Sequence, residues 1–325
     1  MGTLIHSAGC AIYSVAVCYE LPAGESPDLQ DVTAQADFLR KHLCAAHRMD
    51  FIQFDGDITD FISRLKNIDV VWNLFESFKG KEEDQHLGAA AIELAGVPYT
   101  GSRLDALVLC SDKRITKAVF AGEGVQVPRL YKGIAAENSQ WIVKPAKLHG
   151  SVGISDSSVM DGAMVRDAVA ADSSLIAKPA ELIIEDYIDG EEYSASLLDM
   201  GKGLKTIAVA KMQFVNYPEG RPHILGYDSK WDENSADYTH TVRTFTVDKV
   251  LVSKIAQIAE RCGRILGLGG FARIDFRMDR AGKLYVIDVN PNPGLGEDSG
   301  FIAACVHAGI SIEDSLNYII NAALR

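Results

Sequence analysis

The chain has 325 residues, 47% of them hydrophobic and 23% charged, with a formal net charge of −12 at pH 7. This length exceeds what one ordinary core organises and predicts two or three domains with the composition of a soluble globular protein. The negative charge argues against a nucleic-acid partner, although a locally basic cleft could bind phosphates, and no apolar run approaches the roughly 20 residues of a membrane span.

The N-terminus and the cysteines predict a cytoplasmic protein. Residues 1–20 are apolar but lack the basic segment that opens a signal peptide, and His6 stands where N-myristoylation requires Ser or Thr. The six cysteines are scattered, without a CxxC pair or a metal-binding spacing. Such thiols are typical of a reduced protein in which they are small buried residues.

The first third of the chain alternates strand and helix patterns. Strands are predicted at residues 14–20, 51–54 and 69–74, and helices at residues 28–47, 58–66 and 82–95. Pro27 and Asp28 open the first helix, with Asp28 as a candidate cap, and Gly96 closes the third. This alternation indicates βαβ units and a parallel sheet, and no GxGxxG follows the first strand to support a dinucleotide fold.

The remaining two thirds begin after a turn-rich junction at residues 97–102. Helices are predicted at 103–109, 112–122, 248–267 and 312–324, and strands around 128–132, at 141–144 and at 182–187. Strands predominate from Gly190 to about Phe245. We therefore predict an α/β fold with an α+β C-terminal part, divided into residues 1–101, 102–190 and 191–325.

Residues 270–294 predict one β-hairpin. Residues 271–278 and 284–289 alternate apolar and polar side chains, as half-buried strands do. Between them, residues 279–283 form a polar turn containing a glycine that can adopt positive φ. Residues equidistant from such a turn face each other across an antiparallel ladder.

The hairpin brings oxygen-bearing side chains together. Counting outward from Ala281 places Asp275 roughly opposite Asp288, with Arg273 and Asn290 one pleat further along. Two carboxylates and an amide are hard donors that suit Mg²⁺ and not zinc. The alternative is a solvated hairpin whose acids face water.

Two further segments have the character of a nucleotide site. Lys144 ends an apolar run, and residues 150–153 offer backbone N–H groups that could close over phosphate oxygens. The alternative is a surface lysine beside a hairpin loop. Glu185 ends a buried strand and Glu192 follows it, an arrangement that could bind adenine and ribose; the alternative is a domain linker with solvated acids.

Six segments in order resemble the ATP-grasp superfamily, and within it the D-alanine–D-alanine ligase branch, over most of residues 71–315. They read GVPYTGS, SDKRITK, WIVKPAKLHGSVGIS, LIIEDYIDGEE, GYDSKW and GFARIDFRMD…LYVIDVNPNPG. The resemblance implies an ATP-grasp fold, in which an N-terminal open parallel sheet precedes two lobes that clasp ATP. It implies ATP-dependent ligation of a small-molecule carboxylate to an amine through an acyl phosphate, and a homodimer.

The resemblance also implies roles for individual nucleotide-binding residues. Phosphate contacts fall to Lys113 and Lys144. The adenine pocket is lined by Glu185, Tyr187 and Ile188, and the ribose is held by Glu192. A mobile loop that covers the phosphates carries Lys230 and Trp231.

The remaining implied roles concern chemistry and substrates. Catalysis falls to Arg273, which stabilises the reacting oxyanion, and to Lys230 and Ser151. Two Mg²⁺ ions, or Mn²⁺, are bound by Asp275, Asp288 and Asn290, with Asp288 bridging. The loop that receives the second substrate and its carboxylate contains Gly294 and Ser299.

The sequence departs from the ligase branch where the first amino acid binds, and also in the phosphate loop and among the metal ligands. Residues 19–25 lack the usual glutamate signature after the first strand, Gly150 replaces a serine, and Asp288 stands where Glu is common. Glu76 occupies the position of a histidine, and we predict that it binds a substrate ammonium. The alternative is a helix-capping or solvated acid.

With these departures, the sequence is compatible with four functions: two kinds of ligase with other substrates and two alternatives. They favour a ligase with substrates other than D-alanine, including one that joins a non-amino-acid carboxylate to an amino acid. The alternatives are a D-alanine–D-alanine ligase itself and a catalytically silent nucleotide-binding protein on the same fold.

Overall fold

The N-terminal part is built on a parallel sheet. The structure, a computed structural model, describes residues 11–21, 27–137, 139–171 and 182–325. The first sheet contains β1 (Ser14–Tyr19), β2 (Arg48–Gln53) and β3 (Val70–Asn73) in the order β2-β1-β3. Both β2 and β3 run parallel to β1, so the prediction of a parallel sheet is confirmed.

Helices cover this sheet. They span Pro27–Leu43, Ile58–Arg64 and His86–Ala95. The first begins at Pro27, and the side chain of the candidate cap Asp28 lies outside the described residues. The prediction of one helix from residue 82 is wrong, because Glu82–Asp84 forms a separate 3-10 turn with i→i+3 hydrogen bonds. Gly96 ends the third helix at φ 71°, as predicted.

The middle part carries a second, antiparallel sheet. Its strands are β4 (Gln140–Pro145), β5 (Val159–Asp161) and β6 (Leu182–Asp186) in the order β5-β4-β6. The helices of this part span Leu104–Cys110, Lys113–Gly122 and Gly162–Ala171.

The strand predicted around residues 128–132 is wrong. This segment makes a single bridge, from Leu130 to Glu185. Pro128 has no amide hydrogen to donate, and Gly133 at φ 87° turns the chain away.

The C-terminal part contains a five-stranded antiparallel sheet in the order β11-β10-β7-β8-β9. Its strands are β7 (Gly190–Asp199), β8 (Leu204–Phe214), β9 (Thr241–Thr244), β10 (Phe271–Asp279) and β11 (Leu284–Asn290). Strands do not predominate up to Phe245, because the connection between β8 and β9 contains the short helices Asp228–Trp231 and Ala236–His240. We call residues 215–240 the lid segment.

The hairpin β10–β11 has the predicted register. Asp275 pairs with Asp288, and Arg273 pairs with Asn290. A register shift follows Asp275, so the ladder is regular on the side that carries these four residues. The count outward from the turn therefore predicted the approximate placement of these four residues, and the register shift sets their exact pairing.

Apolar packing joins the N-terminal and C-terminal sheets. One buried cluster contains Val17 and Trp72 of the first sheet together with Leu198 and Phe271 of the third. Burying side chains of this size contributes roughly 1.5–3 kcal/mol each. Helices Lys249–Leu266, Gly300–His307 and Ile312–Ala323 complete the fold; the Gly300–His307 helix was not predicted.

The cysteines largely follow their prediction. Free, buried thiols belong to Cys18, Cys110, Cys262 and Cys305. Cys44 is exposed, so the expectation of buried thiols is wrong there, and Cys10 lies outside the described residues. Among the helices that the structure describes, none combines the length and apolar character needed to cross a membrane.

Candidate active site

A buried group of three charges links the second and third sheets. Glu185 on β6 is 1% exposed, and its two carboxylate oxygens lie 2.9 Å from Nζ of Lys144 and 2.8 Å from Nζ of Lys117. Lys144 is 7% exposed, so it is not a surface lysine. Glu185 and Glu192 are both buried, which excludes a linker with solvated acids.

Lys117 was missed by the sequence reasoning. It lies four residues after Lys113 on one helix, a spacing that places both lysines on the same face and could have identified it. Its Nζ also donates to the carbonyl of Ile287 on β11 at 3.0 Å. Burial lowers the pKa of Lys117 to about 8, although the charge of Glu185 opposes this shift.

Asp288 lies among cations. Its Oδ1 is 3.9 Å from Nζ of Lys113, which donates to the carbonyl of Leu148 at 2.6 Å. Burial acts to raise the pKa of Asp288, but the charges of Lys113 and Lys144 outweigh it and hold this pKa well below its usual range. Asp288 is therefore ionised at neutral pH.

Asp275 has different partners. Nε and Nη2 of Arg273 donate to Oδ1 and Oδ2 of Asp275, both at 3.0 Å, and the hydroxyl of Ser194 donates to Oδ1 at 2.7 Å. An ionised carboxylate has about four acceptor sites. One site on Oδ2 remains for a further ligand, and Asp275 does not simply face water.

The side-chain oxygen atoms on the hairpin β10–β11 fit a magnesium site. Asp275 and Asp288 face each other, and Oδ1 of Asn290 accepts from the amide of Asn292 at 3.1 Å, which leaves it a second lone pair. Within the described ranges, no group of three His, Cys, Asp or Glu side chains could hold a metal ion. Mg²⁺ commonly uses one or two carboxylates together with substrate phosphates, so two aspartates suffice.

The predicted phosphate-binding residues 150–153, here called the phosphate loop, are in contact with the lid segment. Nε1 of Trp231 donates to the carbonyl of Gly150 at 2.8 Å, and the hydroxyl of Ser151 donates to the carbonyl of Leu225 at 2.7 Å. Gly150 and Ser151 have φ of 66° and 65°, a left-handed conformation that is costly for a serine. The predicted catalytic Ser151 thus holds the lid segment over this loop.

Positive charge dominates the space between the loop and the hairpin. Burial and the charge of Arg273 lower the pKa of Lys230. Burial and the charge of Lys113 lower the pKa of His149 to about 4, so its imidazole is neutral at pH 7. The sequence reasoning did not single out His149, although it directly precedes the predicted phosphate-binding residues 150–153.

The predicted nucleotide residues lie where the second sheet continues into the third. Tyr187 and Ile188 connect β6 to β7, and the Tyr187 hydroxyl donates to the carbonyl of His223 at 3.4 Å. Glu192 on β7 is buried and forms an ion pair of 2.9 Å with Arg277. Arg277 was not predicted as a site residue.

The predicted substrate residues form a separate group. A Cβ at Gly294 would lie 3.4 Å from Oδ2 of Asp31, an oxygen that accepts from Gln35 at 2.8 Å. Burial and the charge of Asp31 raise the pKa of Glu76 to about 7. Glu76 is partly buried and caps neither Glu82–Asp84 nor the helix that follows, so the helix-capping alternative is wrong.

Ser299 begins the helix Gly300–His307. Its hydroxyl accepts from the amide of Ile302 at 3.3 Å. Beside it, Nη1 of Arg243 donates to the carbonyl of Asp298 at 3.2 Å, and the guanidinium packs against Gly300. Burial and the charge of Arg273 lower the pKa of Arg243, but a guanidinium stays protonated at neutral pH. This unpredicted arginine therefore adds positive charge beside the loop that was predicted to receive the second substrate.

Comparisons with known proteins agree with this geometry. The family model described as D-ala D-ala ligase C-terminus matches residues 134–321, more than half of the chain. A D-alanine–D-alanine ligase of Nitrosospira multiformis is 30% identical over 245 residues, covering 72% of this chain and 73% of that protein. An uncharacterized protein of Sinorhizobium fredii is 29% identical over 262 residues, covering 79% of this chain and 75% of that protein.

Solved structures share the fold. A crystal structure of D-alanine–D-alanine ligase from Bacillus anthracis, complexed with ATP, aligns with a TM-score of 0.73 and 21% identity over 97% of this chain and 98% of that one. Three sheets with a basic cleft between the last two therefore define an ATP-grasp fold. The chain belongs to the D-alanine–D-alanine ligase family, a family of ATP-dependent carboxylate–amine ligases.

Proposed function

We propose that this protein ligates a carboxylate to an amine through an acyl phosphate formed from ATP, and that its first substrate is not D-alanine. The observation that best supports the reaction is the gathering of Lys113, Lys144 and Lys230 around Asp288. Such a concentration of cations beside an ionised carboxylate suits a triphosphate and its metal ions.

In the proposed mechanism, this chain's residues bind, orient and shield the reactants. Lys113 and Lys144 hold the ATP phosphates, while Trp231 and Ser151 keep the lid segment over them and exclude water from the acyl phosphate. Mg²⁺, bound by Asp275, Asp288 and Asn290, would supply further neutralisation of phosphate charge. Arg273 neutralises the oxyanion while the substrate carboxylate attacks the γ-phosphorus of ATP, and ADP leaves with the electron pair of the broken bond between the γ-phosphorus and the bridging oxygen.

The second half-reaction forms the product. The neutral amine attacks the acyl carbon, inorganic phosphate leaves with the electron pair of the broken C–O bond, and the new amide nitrogen releases a proton to solvent. Ser299 and Gly294 lie on the loop that would receive the amine substrate. Arg273 again faces the negative charge that develops on the acyl oxygen.

The substrate proposal rests on two departures from the family pattern. Gly150 has no side chain to offer a substrate, and the Trp231 indole packs against it, with Cζ2 3.4 Å from where a Cβ would lie. Glu76 and Asp31 place two carboxylates beside Gln35 and Gly294. We assign Glu76 to binding the ammonium or another donor group of a substrate. The names of several relatives support D-alanine–D-alanine ligation itself as the second candidate.

A substrate panel tests this proposal. The protein is incubated with ATP, Mg²⁺ and pairs of carboxylic acids and amines, and D-alanine alone is one member of the panel. Phosphate release is followed, and the masses of the products are measured by mass spectrometry. The proposal expects phosphate release with a pair other than D-alanine with D-alanine. Efficient D-alanine dimerisation would establish the second candidate, and no release with any pair would favour a silent protein.

A further inference from the structure

Arg277 stands at the junction of the two nucleotide-clasping sheets, outside the set of residues that bind phosphate or metal. We propose that Arg277 is a positioning residue that orients Glu192 toward the ribose of ATP, and that it thereby sets discrimination between ATP and deoxyribonucleotides. This inference rests on the proposed function, because it takes ATP as the bound nucleotide.

The first observation is a buried ion pair within one ladder. Arg277 on β10 lies directly opposite Glu192 on β7. Nη2 of Arg277 is 2.9 Å from Oε2 of Glu192, and the two residues are 4% and 7% exposed. Removing one partner of such a pair leaves an uncompensated buried charge, which changes the orientation or the protonation of the other.

The second observation is that the same guanidinium organises the surrounding backbone. Nη1 of Arg277 donates to the carbonyls of Gly190 at 3.2 Å and Ile188 at 3.4 Å, both in the connection between β6 and β7. Nη2 also donates to the carbonyl of His223 in the lid segment. The Tyr187 ring, whose hydroxyl reaches the same carbonyl, lies 5.6 Å from the guanidinium.

These contacts require the planar fork of an arginine. A guanidinium presents five donors in fixed directions, whereas an ammonium is a compact charge with three donors. Arg277 therefore holds the ribose carboxylate, the adenine-facing connection and the lid segment in one arrangement. Because its ion pair engages Oε2 of Glu192, a ribose hydroxyl would donate to Oε1.

Replacing Arg277 should therefore alter recognition of the ribose hydroxyls of ATP. Without Arg277, Glu192 loses its fixed orientation, while the phosphate contacts of Lys113 and Lys144 stay in place. The affinity for ATP then falls, and the affinity for an analogue that lacks the contacted hydroxyl changes much less. A merely structural role would lower both affinities by the same factor.

The experiment measures nucleotide dissociation constants by calorimetry for ATP, 2′-deoxy-ATP and 3′-deoxy-ATP. It compares the wild-type protein with Arg277→Met, Arg277→Lys, Glu192→Gln and the control Arg280→Gln. Arg280 lies on the same hairpin and pairs with Asp189 at 2.6 Å, but its side chain is 85% exposed. Arg277→Lys keeps the positive charge but loses the planar guanidinium. It replaces Arg277→Met in the comparison if Arg277→Met does not fold.

Wild type and Arg280→Gln should prefer ATP over one deoxy analogue by about tenfold or more, as a hydrogen bond to a charged group provides. Arg277→Met should lower this ratio toward the value of Glu192→Gln, and Arg277→Lys should give a ratio between those of wild type and Arg277→Met. In the double variant that combines Arg277→Met with Glu192→Gln, the ratio should equal that of Glu192→Gln alone. Equal loss for all three nucleotides, or an unchanged ratio in Arg277→Lys, overturns the inference. A wild-type protein that binds ATP with this preference but ligates nothing would refute the proposed function alone.

Discussion

Asp275 and Asp288 face each other across the β10–β11 ladder, yet their carboxylates have different surroundings. Asp275 accepts two hydrogen bonds from Arg273 on its own strand, whereas Asp288 lies 3.9 Å from Lys113, on a helix that packs beside the hairpin. The first carboxylate is therefore preorganised together with the proposed oxyanion-stabilising arginine. The second would hold metal ions in the proposed mechanism.

Asp288→Asn should lower the ligation rate by on the order of 10²-fold or more, because it removes a charge from the proposed metal site. The substitution should leave the fold intact, since the side chain is 31% exposed and faces the cleft. Phosphate release measures the first effect and thermal unfolding the second. A folded variant with a near wild-type rate would remove Asp288 from the metal site.

Lys117→Met should destabilise the protein by roughly 2 kcal/mol, because it leaves the buried Oε2 of Glu185 and the carbonyl of Ile287 without their donor. Lys205→Met is the matched control, since Lys205 forms an ion pair of 2.8 Å with Glu260 while 55% exposed. Loss of that exposed pair should change stability by less than about 1 kcal/mol. Denaturant unfolding compares the two, and equal effects would contradict the assigned importance of the buried group.

Lys144→Ala should weaken ATP binding by about tenfold or more, since a charge-assisted phosphate contact exists in the ground state as well as the transition state. Calorimetric titration of ATP measures this effect directly. Lys205→Met again provides a lysine-deletion control. Unchanged ATP affinity in a folded Lys144→Ala protein would refute the phosphate role.

Glu76→Gln should raise the KM of one substrate and spare that of ATP, because Glu76 lies apart from the phosphate-binding lysines. In the wild type, burial raises the pKa of Glu76 to about 7, so the carboxylate that attracts an ammonium forms as the pH rises through 7. The KM of that substrate should fall from pH 6 to pH 8 in the wild type and stay level in the variant. A pH-independent wild-type KM would contradict the role.

The same pKa shift predicts an effect on stability. The folded state keeps the Glu76 proton up to about pH 7, whereas the unfolded chain releases it near the ordinary value of 4.5. The fold therefore loses stability from this group as the pH rises from 4.5 to 7. Denaturant unfolding should show Glu76→Gln gaining stability relative to wild type across this window, and a constant difference would mean that the Glu76 pKa is not raised.

The sequence predicted local patterns better than the partners of each charged side chain. Alternation and a turn glycine gave the approximate hairpin register, because pairing in a tight hairpin follows distance from the turn. The register shift that sets Asp275 directly opposite Asp288 was not predicted. The same reasoning placed strand β6 and its buried Glu185. It failed at residues 128–132, where an extended segment makes one bridge. It also failed across residues 215–240, where the structure has two short helices and no strand.

Long-range partners were the harder part of the site. Lys117, Arg243 and Arg277 each belong to an ordinary helix or strand pattern, and their importance arises from contacts with residues distant in the sequence. Arg277 alternates with Arg273 and Asp275 on one strand, but only the fold shows that β7 places Glu192 opposite it. A charged residue on an amphipathic strand is usually solvated, so its burial cannot be read from the strand alone.

The most direct test of the central claim follows oxygen from the acid substrate. The carboxylic acid that supports turnover is labelled with ¹⁸O in both carboxylate oxygens, and the inorganic phosphate formed with ATP and the amine is analysed by mass spectrometry. An acyl phosphate requires one labelled oxygen in each phosphate, since the C–O bond breaks when the amine attacks. Unlabelled phosphate, or release of AMP and pyrophosphate, would contradict the proposed mechanism.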